Sequence, residues 1–288
     1  MNNPKVSIII LNWNGLKDTI ECLESLKKIT YPNYEVIIVD NGSEGNDADV
    51  LEEKYRDYIK LIRNKENLGF AGGNNVGIRK VLKEGKSKYI LLLNNDTVAE
   101  RDFLNELVKY YDESTGICAP LIFNFYKLNE IWSSGGEFNI LKGIYSNSTR
   151  EIKRNQRETS FISGCCWLVR EEIFRKFGLL DEKYFLYSED MDFCYHLKKA
   201  SYKLKVIPSS VIFHKISRTV KKDSPLLFYY FHRSKLIFLR KNYKGFKKLF
   251  YLNLNIIIRY LRAFEYFVKR QKELSKSIKK ALQDYKYV

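Results

Sequence analysis

The chain has 288 residues, 45% apolar and 15% aromatic, which is ample material for a buried core and excludes disorder over most of its length. Its net charge of +16 is lopsided: residues 197–288 hold 24 of the 50 Lys/Arg but only 4 of the 34 Asp/Glu, so residues 1–196 are slightly acidic. No apolar run reaches 18 residues, which argues against a conventional transmembrane helix.

The opening MNNPKVSIIILNWNG reads as a first strand and not as a secretory signal, because its apolar run is short and ends in Asn-Trp-Asn. Apolar runs at 6–11, 36–39, 59–62 and 89–93 then alternate with helical patterns at 15–28, 47–58 and 72–83. Strands alternating with helices imply right-handed βαβ units and a parallel sheet. Ligands of such sheets bind beyond the carboxyl ends of the strands. All four exits are polar here: Asn12-Trp13-Asn14, Asp40-Asn41-Gly42-Ser43, the Gly-rich stretch 64–73, and Asn94-Asn95-Asp96. Strands or hairpins are expected at 117–125, 131–138 and 161–170, short helices at 171–177 and 188–199, and strand pieces at 203–207 and 211–214. From residue 226 the pattern is helical, aromatic and basic. The five cysteines are odd in number and lack a CxxC pair, so neither a disulfide framework nor a zinc site is expected and a reducing cytosol is.

Individually, the polar motifs admit ordinary readings. Asn94-Asn95-Asp96 suits either an Asx-turn or a hard divalent cation that also touches phosphate oxygens. Ser188-Glu189-Asp190-Met191-Asp192 suits a capped helix start or a carboxylate general base. His214 ends a strand before a basic, hydroxyl-rich loop, whereas His196 and His232 fall within helical patterns and read as packing or surface residues. The stretch from Asn67 to Gly77 is neither a Walker A loop nor a GxGxxG fingerprint.

Taken in order, VSIIILNWNG, VIIVDNGS, NKENLGFAGGNNVGI, YILLLNNDT, IWSSGGEF, FISGCCWLVREEIF, FGLLDEKYFLYSEDMDFCYHLKKASY and VIFHKISRTV resemble the family 2 glycosyltransferases of the GT-A fold, and more narrowly their rhamnosyltransferase-like branch. With the later FYYFHRSKLIFLRK, similar to a Tyr-rich helix that follows the catalytic domain in such proteins, the resemblance covers roughly residues 5 to 241. It implies a mostly parallel sheet flanked by helices, a catalytic domain over 1–225 (about 1–115 nucleotide-binding, 116–225 for acceptor and catalysis), and a basic helical extension over 226–288. It also implies roles. Asp40 would recognise the nucleobase. Asn94-Asn95-Asp96 stands where the family has its DxD motif, so Asp96 would hold Mg²⁺ or Mn²⁺, with His214 as a further ligand. Asn94 replaces the first acid of that motif and brings no charge. Asp190, with Glu189 beside it, would supply the base. Asn12, Gly42, Asn67, Gly69, Asn75, Asn95, Gly164 and Arg218 complete the expected nucleotide-sugar contacts, and Asn74 stands where many relatives carry Arg. Arg218, Lys221 and Lys222 would clamp the diphosphate, and Trp132, Gly135, Gly136 and Gly164 would line the sugar pocket.

The expected reaction is inverting transfer of a sugar, with rhamnose as candidate, from a nucleoside diphosphate to a saccharide or glycolipid hydroxyl in cell-surface polysaccharide synthesis. Two other readings carry less. A nucleotidyltransferase would need a Gly-rich, cationic phosphate loop after strand one, where this chain has Asn-Trp-Asn-Gly. A nucleic-acid-binding protein would fit the charge but lacks an RNP, KH or zinc pattern, so no nucleic-acid partner is expected. In the tail, Lys248, Asn255, Arg262, Lys269 and Lys276 recur every seven residues, and 15 of the 20 residues in 249–268 are apolar or aromatic. Such a helix lies in the interface of an anionic membrane, packs on the catalytic domain, or pairs with a second subunit. The expected location is cytoplasmic or peripheral on the inner face of the cell membrane.

Overall fold

The computed structural model describes residues 3–139, 144–152, 156–216 and 224–288. In chain order the first half is β1 (Val6–Asn12), α1 (Leu16–Leu26), β2 (Tyr34–Asp40), α2 (Asp47–Tyr55), β3 (Ile59–Arg63), α3 (Gly69–Glu84), β4 (Tyr89–Asn94), β5 (Thr97–Ala99) and α4 (Phe103–Lys109). The second half adds β6 (Thr115–Asn124), β7 (Lys127–Ser133), β8 (Gly136–Asn139), β9 (Ile144–Asn147), β10 (Arg157–Thr159), β11 (Cys166–Arg170), α5 (Glu171–Phe177), α6 (Glu189–Lys199) and β12 (Lys203–His214). Three helices close the chain: α7 (Pro225–Asn242), α8 (Gly245–Val268) and α9 (Lys272–Asp284).

The sheet runs β10-β12-β6-β11-β4-β1-β2-β3, with β5 paired to β12 and β7 to β6. The β4-β1-β2-β3 half is parallel, as the alternation predicts. Beyond it the sheet is mixed: β11 runs antiparallel to both β4 and β6, while β6 and β12 are parallel. Successive side chains of a strand face opposite sides, so one sheet builds two cores. Ile9, Ile37, Val39 and Leu92 enter one, shared with α3 and α6, and Ile8, Ile10, Ile38 and Leu91 enter the other, shared with α1, α2 and α4. These strands are apolar on both faces for that reason.

Several expectations are revised. The helix expected from residue 72 begins at Gly69, because the glycines in its first turns allow α3 to lie close on β1: a Cβ at Gly73 or Gly77 would come within 2.4 Å of Leu11 or 2.6 Å of Ile9. Helix α4 went unpredicted, and the strand expected over 161–170 is limited to β11. The two strand pieces at 203–207 and 211–214 are one strand, β12, with a register shift between Ile207 and Val211, where Pro208 cannot donate to the ladder. The helical extension is not set apart from the rest. Leu236, Phe238, Ile278 and Leu282 belong to the same core as Ile9 and Trp167. Asn242 and Lys241 of α7 also bond the Asp192 carboxylate of α6, at 2.6 and 2.7 Å. All five cysteines are buried and free.

Candidate active site

Strand register brings the polar exits together. Asn12 pairs with Asp40 across β1–β2, Leu11 with Asn94 across β1–β4, and His214 with Thr97 across β12–β5. The Asn94 amide donates to the Cys165 carbonyl at 2.9 Å, which fixes the loop before β11 beside the end of β4. A cavity of about 490 Å³ opens there, with Asn94, Asn95, Asp96, Gly164, Glu189, Asp190 and His214 in its wall. These residues come from positions as far apart as 94 and 214, and one cavity collects them.

Asp96 and His214 form its first chemical centre. His214 Nε2 lies 3.1 Å from Asp96 Oδ1, and both residues are buried. The approach is not aligned as a hydrogen bond, and Asp96 Oδ1 and His214 Nδ1 are both buried without a hydrogen-bond partner among the described residues. Orphaned buried polar atoms are costly, and a cation is one way to satisfy them. The 3.1 Å separation also matches adjacent ligands at about 2.1 Å from a six-coordinate ion, which lie about 3 Å apart. The carboxylate oxygen suits Mn²⁺ or Mg²⁺, and the imidazole nitrogen favours a transition-metal ion, hence Mn²⁺ over Mg²⁺. Among the described residues no third His, Cys, Asp or Glu completes a protein-only site, so a cation held here would need further oxygens from a ligand or water. The ring of Trp132 packs edge-on to His214 with centroids 4.4 Å apart. Lys215, which the sequence reading passed over as loop, is buried and ion-paired to Asp18 at 2.7 Å and Glu21 at 2.6 Å. Its backbone N–H donates to the Asp96 carbonyl at 2.9 Å, so Lys215 ties the metal candidates to α1.

The second centre is the start of α6. Ser188 occupies the N-cap position, yet its hydroxyl caps nothing, contrary to the expectation for a serine there. Tyr187 and Ser188 both have positive φ, 66° and 72°, a conformation costing about 1–3 kcal/mol for a non-glycine residue. The turn aims Asp190 at the cavity. Its Oδ2 accepts from the Gly164 N–H at 3.1 Å and its Oδ1 from the Met191 N–H at 2.7 Å. Burial raises the Asp190 carboxyl above the ordinary aspartate value, opposed by those N–H groups and by the Lys235 ammonium. Glu189 is also buried, with Oε2 unpartnered among the described residues; burial first, then the Asp190 charge, pushes its carboxyl well above the usual range. Of the two, Glu189 is held more strongly toward its neutral form, and Asp190, with backbone N–H groups on both oxygens, is the better placed carboxylate. A buried glutamate with a raised value binds a proton that the unfolded chain releases above about pH 4.5. Stability contributed by the neutral form is thus complete below that value and lost as pH climbs toward the raised one. Glu189→Gln should flatten the decline, giving a melting temperature that gains on the parent as pH rises from 5 to 8 in scanning calorimetry.

The remaining expected contacts divide. Asn67 and Gly69 line the cavity, but the Asn67 Oδ1 is engaged by Asn41 at 2.9 Å and by the Gly69 N–H at 2.8 Å. Gly69 has φ +74°, and a Cβ there would meet the Phe185 carbonyl at 2.3 Å. Asn95 is tethered to Thr19 at 2.9 Å. Asn12 is not a cavity residue: fully buried, its amide donates toward Asp40, Ser43 and Asp47 and accepts from Thr19. Asp40 sits one layer back, its carboxylate accepting from Asn12 at 2.8 Å and from the Ser43 hydroxyl at 2.7 Å. Gly42 forms the turn beside it, with φ +72° and Glu66 backbone 2.6 Å from where a Cβ would be. Asn75 points elsewhere, bonding Leu180 through both its amide nitrogen and oxygen and Glu182 at 2.9 Å. Trp132 and Gly164 line the cavity, whereas Gly135, in the β7–β8 connection, lies against Thr159 and Gly136, the first residue of β8, against Ser146 and Phe161. Arg218, Lys221 and Lys222 fall outside the described residues. His196 is half-exposed near Asp192, and His232 is buried in α7, where burial and then the Arg259 charge lower it to about 3.

Sequence reasoning missed the apolar wall: Trp13, Phe70, Phe185 and Tyr187, together with Leu226, Leu227 and Tyr230 of α7. Phe185 and Tyr230 stack at 4.8 Å, so the 180–188 loop and the extension close one side of the cavity together. Cys165 also lines it, but burial raises its thiol well above the ordinary value, which removes it as a nucleophile.

The family model described as glycosyl transferase family 2 matches residues 7–178, more than half the chain. The chain belongs to glycosyl transferase family 2. Family members similar to it include the low-salt glycan biosynthesis hexosyltransferase Agl10 of Haloferax volcanii, 27% identical over 196 residues, covering 67% of this chain and 62% of that protein. The dTDP-rhamnosyl transferase RfbF of Shigella flexneri is 27% identical over 256 residues, covering 84% and 82%. The chain spans 62% of the Haloferax protein's length and 59% of that of an uncharacterised Haemophilus influenzae glycosyltransferase. Among solved structures, GalNAc-T7 with UDP, GalNAc and Mn²⁺ superposes with a TM-score of 0.72 at 18% identity, covering 88% of this chain and 51% of that one. The mannosyltransferase PcManGT of Pyrobaculum calidifontis, with GDP-Man and Mn²⁺, superposes at 0.62 and 14% identity, covering 100% and 88%. The fold is GT-A.

Proposed function

We propose that the protein transfers a sugar, with rhamnose from a dTDP donor as the leading candidate, to a hydroxyl of a saccharide or lipid-linked saccharide in cell-surface polysaccharide synthesis, by single displacement with inversion. The observation that carries this is the convergence of Asp96, His214 and Asp190 on one cavity. The rhamnosyl donor is favoured by likeness to the Shigella protein over most of both chains. The reaction is read as cytoplasmic, at the inner face of the cell membrane.

Asp96 and His214 would hold the divalent cation, with Asn94 beside them toward the ribose. When bound, that ion supplies Lewis-acid stabilisation of the departing diphosphate. Asp190, fixed by two backbone N–H groups, accepts the acceptor's hydroxyl proton as the new glycosidic bond forms. Among the described residues, the carboxylates lining the cavity are Asp96, Glu189 and Asp190. With Asp96 committed to the cation and Asp190 read as the base, Glu189, whose burial disfavours its charged form, is poorly suited as a carboxylate nucleophile, which favours inversion. The aromatic wall excludes water, limiting hydrolysis of the donor. Asp40 is the proposed nucleobase reader, acting from the layer behind Asn41.

A thermal-shift series with UDP, GDP and dTDP and their sugars, with and without Mn²⁺, tests the reading. A ligand that binds only the folded state raises its stability by mass action. The expected result is a Mn²⁺-dependent rise that is largest for dTDP and dTDP-rhamnose. No rise with any nucleotide overturns the function; a rise confined to UDP or GDP sugars overturns the rhamnosyl assignment.

A further inference from the structure

We propose that the outward face of α8 is a docking surface for an anionic lipid bilayer, an inference that stands apart from the donor and acceptor chemistry above. The helix has 24 residues, about 36 Å at 1.5 Å per residue. Its inward side packs Tyr251, Leu252, Ile256 and Ala263 on the core, yet its solvent side is rich in apolar residues as well, unlike that of an ordinary surface helix. Asn255 and Arg259 are turned inward and buried, with Arg259 donating to the His232 carbonyl at 3.2 Å and to Asn255. Large apolar side chains point out: Phe246, Leu249, Ile257, Tyr260, Leu261 and Phe264 are 56–79% exposed, with exposed Asn253 between Leu249 and Ile257. That corrects the expected seven-residue polar ridge, since Asn255 is interior and the helix stops at Val268, before Lys269 and Lys276.

So many large apolar side chains exposed along one helix mark an interaction site, not ordinary surface scatter. Its charge surroundings select the occupant. Exposed Lys244, Lys247, Arg262, Lys269 and Arg270 lie along or at the ends of the helix. Residues 226–288 hold 16 Lys/Arg against 3 Asp/Glu. A second copy seated on this face would bring two such cationic surfaces within a screening length of each other, which opposes pairing. An anionic bilayer answers both features, with acyl chains for the apolar side chains and headgroups for the cations. The helix lies on the membrane and does not cross it: among the described residues, no helix is long and apolar enough to span one.

The test uses the full chain in vesicle flotation with phosphatidylcholine alone and with about one-third phosphatidylglycerol, at about 0.05 M and about 0.5 M salt. The expected result is flotation with the anionic vesicles at low salt, weakened by high salt, and reduced roughly tenfold or more in the triple variant Leu249→Ser, Leu261→Ser, Phe264→Ser, whose side chains insert between lipids. Circular dichroism and nucleotide-induced thermal shift of the variant should match the parent, because all three residues point away from the core. Absence of flotation with anionic vesicles overturns the proposal. So does flotation that the triple variant leaves unchanged, which would assign binding to charge elsewhere. A dimer by light scattering that the variant dissolves, without vesicle binding, overturns it in favour of a second copy. The proposal survives failure of the glycosyl-transfer reading, because flotation does not depend on turnover.

Discussion

Asp190→Asn is expected to lower kcat by about 10²–10⁴-fold, the range a positioned general base supplies, while leaving nucleotide binding within a small factor of the parent. The substitution keeps the side-chain volume but not the acceptor pattern. Asp190 takes one hydrogen bond on each carboxylate oxygen, from Gly164 and Met191, and an asparagine must turn its NH₂ toward one of those donors. The proton acceptor is lost as well. The pH dependence separates a base from a structural acid. Because burial raises the Asp190 carboxyl, the parent's kcat/KM should fall on the acid side through a value above the ordinary 3.8. The variant should lack that limb. A variant that kept half the parent's kcat, or the same acid limb, would remove Asp190 from the chemistry.

The second large effect is expected at Asp96. Asp96→Ala should cut kcat/KM by about 10²–10³-fold, comparable to removing a group that stabilises transition-state charge, and should abolish the Mn²⁺-dependent part of the nucleotide thermal shift. His214 would be left as the lone protein ligand, too little to retain a hard cation. The fold should persist, since Asp96 Oδ1 makes no protein hydrogen bond whose loss would unsatisfy a donor. Isothermal titration with Mn²⁺ and nucleotide measures the affinity independently of turnover. Unchanged metal-dependent binding in the variant would take Asp96 out of the cation site.

Much of this architecture was legible in the sequence for a simple reason. Strands apolar on both faces announce a sheet buried between helices, and the residues that follow them in the chain must lie at its carboxyl edge. That logic gathered Asn94, Asn95 and Asp96 in one place, and the ordered motifs added Glu189, Asp190 and His214. It failed where the side chain's partner is decided by packing. Asn12 and Asn75 carry side chains of the expected type, but each is consumed by a local hydrogen-bond network. The residues of the aromatic wall fall within the quoted motifs, but their meeting was not legible, because Phe185 and Tyr230 stack only once α7 folds back against the 180–188 loop. For α8, periodicity revealed two faces but could not say which one is turned outward; the inward Arg259 reverses the ordinary assumption.

The stacking of Tyr230 on Phe185 means that the last third of the polypeptide is not a detachable handle. A protein cut after residue 224 would be expected to lose one wall of its reaction chamber along with its address, and exchanging the tail between relatives would alter turnover as well as destination. Helix α7 walls the cavity and holds α8, the proposed docking helix, through the Arg259–His232 hydrogen bond, so the proposed anchor and the chamber are joined by one packed contact.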